Sequence, residues 1–537
     1  MKDQSTTKGF AILSIASMAV KLLSLVYMPL LLVIIGEEGY APYYAAYTVF
    51  VFIYVLTNTG MSSAISKLVS ELIALKNYKD AVKTFKISRI IMLLVGTIMA
   101  VFMIILAKPL ANGIHFPKAY LAIKALAPAV LFTSIASAYR GYFQGRGNMG
   151  PTAVSQVIEQ IANVAFSLLF AFLWLKHGIE AACAGGTVGT TLGALIAAIY
   201  LMRKYEKNKK FRVSKDYNET DIIRYSNNDL LKKILFYALP LTISSGLQYA
   251  GNVVDAANTK GRLLASGLDD KKADTKYSYL GKFQTLIGVP IAIISALCTA
   301  ILPLISSSAA LNDKKEVKKG IDYAFKLTFL ISIPSAVGLA VLSTPVFNMI
   351  YPKYSNGAIL MQVGSVVLVL MALVQIQSTI LQSIGKLYLS TFYIVLGILG
   401  KIITNYILVA KPSINILGTI FGSIVGFLIP LLLNHRLIEK SLRIRFNLFK
   451  SAIRPAVASA LMGVVAYLCQ INLYHLLSLL HKGYIANAIS TILAIFIGGI
   501  VYIYALALIG GITKRDINSM PRKVTKLIPR FILTRIR

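Results

Sequence analysis

The chain is poor in charge, poorest in acids, and almost without the side chains that usually perform chemistry. Only 14% of its 537 residues are charged, against about 25% in soluble proteins. With 56% hydrophobic residues and a mean hydropathy of +0.70, it has more apolar surface than one or two globular cores can bury. That surface must face lipid, which excludes a soluble enzyme. The three cysteines, Cys183, Cys298 and Cys469, lie far apart inside apolar stretches. That placement excludes a disulfide framework and a metal-ligand spacing and leaves packing. The five histidines, His115, His177, His435, His475 and His481, fall near the ends of apolar runs and never at ligand spacing, so no metal is expected. No connection between apolar runs is long enough to fold alone. The longest, Tyr205 to Asp229, has about 25 residues. Together with the lack of clustered His and Asp, this argues against an integral-membrane glycosyltransferase or lipid phosphatase, and the chain is read as a non-enzyme.

What is abundant is positive charge. Lys and Arg number 55 against 21 Asp and Glu, a formal net charge of +34. In a soluble chain this would point to nucleic acid. Here the cations crowd into short loops between apolar runs, the pattern of a membrane protein oriented against an anionic leaflet. No nucleic-acid partner is expected, and anionic membrane lipids are.

A membrane-spanning helix needs about 20 apolar residues, and about fourteen such runs can be counted. They begin near Phe10, Tyr43, Phe85, Ala119, Thr152, Ile179, Leu231, Tyr279, Ile321, Ala358, Tyr388, Ile414, Ala452 and Ala486. The first is too long for a signal-peptide core and is read as retained. A cytoplasmic N-terminus places Lys76 to Arg89, Arg203 to Lys233, Lys314 to Lys319, Arg436 to Arg454 and the tail from Lys514 inside. Inside loops then hold roughly 38 cations and outside loops roughly 10. The even span count makes both termini cytoplasmic. Trp174 and many of the 29 tyrosines lie near span ends, as in an aromatic belt. Asp269 and Asp270, followed by Lys271 and Lys272, are read as part of a solvated outside loop.

Sliding the chain against itself exposes a repeat. Ala64, Ile65, Leu68, Val69, Ser70, Ala74, Leu75 and Asp80 return as Ala300, Ile301, Leu304, Ile305, Ser306, Ala310, Leu311 and Glu316. Gln144 and Gly147 recur as Gln382 and Gly385. Two six-helix halves result. Because six is even they are parallel, related by a pseudo-two-fold axis along the membrane normal. The predicted fold is an all-α integral membrane protein with an N-lobe over 1–229, a C-lobe over 230–440, and two further helices with a basic tail over 441–537.

Ala138, Tyr139, Arg140, Gly141, Tyr142, Phe143, Gln144 and Gly145, then Met149 through Gln160, resemble the signature of the fourth and fifth spans of bacterial polysaccharide-carrier flippases. Ala64 to Glu71 at the end of the second span is similar to the same group. The chain is thereby identified as a member of the multidrug/oligosaccharidyl-lipid/polysaccharide (MOP) exporter superfamily, resembling its MurJ-type lipid II flippases and stage V sporulation protein B group. The resemblance implies alternating access and a lipid-tail groove on the last two helices. It also implies a cargo of undecaprenyl-pyrophosphate carrying sugar, moved from the inner to the outer leaflet. Cell-wall or polysaccharide precursors fit that cargo, and the protein is taken to act as a monomer in the cell membrane.

Ionisable residues inside spans are costly and hence candidates for function. Lys21 lies about 17 Å along the first span, near the midplane, and reads as a cavity cation for a pyrophosphate. The bland alternative is a lysine capping a neighbouring carbonyl. The resemblance implies further cavity cations on the second and eighth spans. Lys282 is the eighth-span candidate, against a snorkelling alternative, and the second-span position reads Asn58, a departure. Arg140 and Glu159 flank the Gly145 to Pro151 turn and are expected to pair as a gate element. Lys67 and Glu71 read as a helix-face pair. Sodium-coupled relatives imply a C-lobe ion site, matched here by Asp255, Asn405, Thr419 and Ser423. Lys401 stands where an ion ligand is expected, so an ammonium beside Asp255 is expected to replace sodium; the bland alternative is two separately snorkelling residues. Coupling to the membrane potential or another cation remains, with no cofactor. The competing function, a drug or metabolite antiporter of the same superfamily, calls for acids where Lys21 stands.

Overall fold

A computed structural model of the protein describes residues 6–208, 224–311, 313–480 and 483–511. His481 and the tail from Lys514 lie outside the described residues. Among those described there are fifteen α-helices and no strand, the outcome expected when backbone in lipid must satisfy its own hydrogen bonds. Thirteen helices are long and apolar enough to cross a membrane. The first of them, α1 (Thr6–Ala74), is a single run of 69 residues broken at Gly36, whose φ of 68° and ψ of 177° are open essentially to glycine alone. Its first limb (6–35) and second limb (37–74) are about 45 and 57 Å long at 1.5 Å per residue, each longer than a hydrocarbon core of about 30 Å. Counting the limbs separately gives fourteen spans, and this is an all-α, multi-pass membrane protein.

The remaining helices are α2 (Tyr78–Ile105), the short α3 (Ala107–Gly113), α4 (Tyr120–Gly145), α5 (Gly150–Trp174), α6 (Ile179–Asn208), α7 (Asn227–Ala265), α8 (Asp270–Ala310) and α9 (Lys314–Val341). They are followed by the short α10 (Ser343–Ile350), then α11 (Ala358–Ser383), α12 (Leu387–Leu408), α13 (Gly418–Leu442), α14 (Leu448–Leu480) and α15 (Tyr484–Leu508). The fourteen hydropathy runs all correspond to one of these helices or to a limb of α1. Asp270, read as loop, opens α8 instead.

The chain forms two compact units, Met1–Gly281 with Ile402–Thr419, and Lys282–Lys401 with Ile420–Arg537. The repeat is a relation of sequence and these units are a relation of packing, so the two divide the chain differently. In the first unit small residues let helix backbones approach, the device that replaces hydrophobic driving force inside lipid. Gly185, Gly189 and Gly193 line one face of α6. A Cβ there would lie 2.4, 2.3 and 2.5 Å from the backbone oxygens of Phe170, Asn163 and Glu159 on α5. Gly141 and Gly145 seat α4 on the second limb of α1 in the same way, each with a Cβ position 2.7 Å from a carbonyl oxygen, of Ser62 and Ser66 respectively. Cys183 is buried, its thiol donating to the Gly39 carbonyl at 3.0 Å. Lys67 stands 3.9 Å over the Tyr237 ring on α7; no ion pair with Glu71 accompanies it.

In the second unit α9, α14 and α15 share a core around Ala458, Met462 and Tyr502. The Tyr502 hydroxyl donates to the Leu330 carbonyl at 3.0 Å. Arg454 donates to the Gly510 carbonyl at 2.7 Å, tying the start of α14 to the end of α15.

Candidate functional site

The close α5–α6 packing fixes the rotation of α5 and thereby aims a polar stripe. Gln156, Gln160, Asn163 and Ser167 follow i, i+4, i+7, i+11, one face of a helix in an otherwise apolar span. Two of the four reach neighbouring helices of the same unit. Gln160 Nε2 donates to Ser24 Oγ on the first limb of α1 at 3.1 Å. Asn163 Oδ1 accepts from Ser167 at 3.0 Å and from Thr190 on α6 at 3.1 Å. Gln156 Oε1 is buried with no hydrogen-bond partner. The period-3.6 polar pattern in the fifth span was a signal that could have located this stripe; attention to charged residues alone passes over it.

Beside the stripe, Arg140 on α4 reaches across the hairpin to Glu159 on α5, with Nη2 2.5 Å from Oε2 and Nε donating to Ser155 Oγ at 3.0 Å. The guanidinium is buried and the carboxylate is about three-quarters buried. Lys21 lies one turn before Ser24 on the first limb. It is exposed and makes no hydrogen bond or ion pair with a described residue. It therefore does not cap a neighbouring carbonyl. Lys21 thus stands without a charge partner among the described residues, whereas Arg140 is paired.

The other two expected cavity residues are hydrogen-bonded within the protein. Asn58 is buried, and its Nδ2 donates back to the Tyr54 carbonyl at 2.9 Å and to Thr57 Oγ1 at 2.7 Å. Its Oδ1 has no partner. Lys282 neither snorkels nor stands open. It is fully buried, and its ammonium donates to the carbonyls of Tyr354 and Asn356 at 2.7 and 3.2 Å, bracing the turn between α10 and α11.

Asp255 on α7 and Asn405 on α12 do come together, Nδ2 donating to a buried Oδ1 at 2.8 Å. Thr419 is buried in the same unit, with its hydroxyl donating to Ile416 at 2.8 Å. Lys401 and Ser423 are buried in the second unit, where the Lys401 stem lies against Gly426 on α13.

Sequence reasoning missed one charged cluster. Lys260 near the end of α7 is buried, with its ammonium 2.6 Å from Asp274 and 2.9 Å from Asp270 on α8. It stands 4.6 Å from the Phe116 ring. The clue was helical spacing, since Asp270 and Asp274 are four apart and share a face once α8 starts at Asp270. Among the described residues no group of three or more His, Cys, Asp or Glu is placed to hold a metal ion.

Residues 6–309 match the polysaccharide biosynthesis protein family. The chain belongs to that family. Its relatives include the lipid II flippase MurJ of Bacillus subtilis, 26% identical over 93% of this chain and 94% of that protein. Stage V sporulation protein B of the same organism is 27% identical over 85% of this chain and 88% of its own length. Among solved structures, a lipid II flippase MurJ in an inward closed conformation covers 93% of this chain and 98% of its own at 18% identity, with a TM-score of 0.64. An inward-facing multidrug-resistance transporter of the MATE family covers 80% and 99% at 16% identity, with a TM-score of 0.62. The fold is that of the MOP superfamily.

Proposed function

We propose that the protein moves an undecaprenyl-pyrophosphate-linked glycan, a cell-wall or polysaccharide precursor, from the inner to the outer leaflet by alternating access. The supporting observation is Lys21, an unpaired cation beside a polar stripe in the middle of an apolar span. A pyrophosphate is the partner for which that charge is suited, whereas a cationic drug would be repelled. One of the relatives named above is a lipid II flippase, which fits this cargo. Coupling on this reading draws on the membrane potential or a cation other than sodium. Depletion in the native host is expected to raise the lipid-linked intermediate on the cytoplasmic leaflet. Unchanged amounts of every such intermediate would refute the reading.

The orientation proposed with it places both termini and the connection before α7 in the cytoplasm. Single cysteines at the exposed Asn228 and Asp269, before and after α7, are then expected to label from opposite sides, Asp269→Cys from outside intact cells. Outside labelling of Asn228→Cys would overturn the orientation.

A further inference from the structure

Between the end of α13 and the start of α14, Arg436, Lys440, Arg443 and Arg445 line a cleft of about 440 Å³ with one acid, Glu439. The four cations are exposed, and none has a hydrogen bond or ion pair with a described residue. Glu439 is already engaged. Its Oε1 accepts from the Phe446 backbone N–H at 3.3 Å and lies 3.8 Å from His435 Nε2. The cations are therefore not neutralised by any described residue, and their mutual repulsion calls for an anion. A helix dipole accounts for a cation in the last turn of α13, such as Lys440, but not for Arg443 and Arg445 beyond it.

The cleft is held open by its own connection. Phe446 is buried, stacked on Phe325 with centroids 5.2 Å apart and met edge-on by His435 at 4.5 Å. Arg443 takes a left-handed conformation, φ 54°, turning the chain just past α13.

Apolar stripes lead away from the charge on both helices. On α13, Leu428, Leu432, Arg436 and Lys440 are all exposed at intervals of four, so two leucines precede two cations along one face. On α14, Phe449, Ile453 and Val457 are exposed at the same interval. A phosphate in the cleft would continue into chains lying on these stripes. We propose that the cleft binds the phosphate headgroup of an anionic diacyl glycerophospholipid, a site separate from that of the transported lipid. Charge complementarity selects the headgroup, and the two stripes select a lipid over a free anion.

Native mass spectrometry of the full chain is the test, with phosphatidylglycerol and phosphatidylcholine of the same chains as probes. The wild type is expected to favour phosphatidylglycerol about tenfold, from about a fivefold gain per well-placed cation reduced by repulsion among them. Raised salt should shrink that preference. Arg436→Gln with Lys440→Gln, on the exposed helix face, should cut it by about half or more on a logarithmic scale, and adding Arg443→Asn and Arg445→Gln should remove it. Asparagine tolerates the left-handed backbone at 443, and a detergent melting curve checks the fold of each variant. An undiminished preference in the folded double variant would overturn the proposal. So would displacement of phosphatidylglycerol by glycerol 3-phosphate at equal concentration, which marks a free-anion site. Displacement by undecaprenyl pyrophosphate would assign the cleft to the carrier lipid and overturn it equally.

Discussion

Lys260→Met is expected to destabilise the protein by about 3 kcal/mol or more, because it strands a buried carboxylate. Asp274 is 3% exposed and Lys260 is the cation that meets it, at 2.6 Å. Asp270, the second partner at 2.9 Å, is 62% exposed. Water replaces the contact there, so Asp270→Asn should cost less than about 1 kcal/mol. The asymmetry is the checkable content. In detergent melting curves Lys260→Met should fall far below wild type, Asp270→Asn should stay near it, and Lys260→Met with Asp274→Asn should regain part of the loss. Equal effects of the two single substitutions would show that the triad acts as a surface network. The cluster ties α7 to α8 where Phe116 packs on Lys260 and on Tyr277, the latter at 4.7 Å between ring centroids.

Substitution of Lys21 is expected to act on ligand binding and leave folding intact, because the side chain has no partner to lose among the described residues. A charge-assisted contact contributes about 1.5 to 3 kcal/mol, so Lys21→Met should weaken binding of an undecaprenyl-pyrophosphate glycan by about 10- to 100-fold. Lys21→Arg should retain much of the affinity, since an ammonium attracts a diphosphate mainly as a point charge. Lys21→Glu should be worse than Met through repulsion. Native mass spectrometry of the purified variants reads all three, with insertion and expression as controls. Wild-type affinity in Lys21→Met would remove the main support for the proposed cargo.

Hydropathy alone determined the spans, because lipid imposes one rule on every crossing. About 20 apolar residues must form a helix that satisfies its own backbone, and that rule has no tertiary term. Hairpin partners joined by a short turn were also legible, as Arg140 and Glu159 show, since the turn from Gly145 to Gly150 leaves few ways for α4 and α5 to pack. The end of the first apolar run near Ile35 was legible as well; what was not is that helix continues on both sides of Gly36, which alone breaks it with φ 68°.

Where a side chain points was decided by tertiary structure alone. Lys282 looks from its position like a lysine that could reach the interface, yet the carbonyls of Tyr354 and Asn356, more than seventy residues away in sequence, draw it inward. Asn58 turns onto its own helix, and Asp274, four residues past the Asp270 that was read as solvated loop, is buried against Lys260. The physical reason is the same in each case. The cost of burying a polar group depends on which partners the packed helices bring within hydrogen-bond reach, and that is a property of helix rotation and close approach. In the α5–α6 pair three glycines set it. Composition and periodicity say which residues are expensive inside a bilayer, while packing decides whether each is satisfied within the protein, like Arg140, or left unpaired, like Lys21.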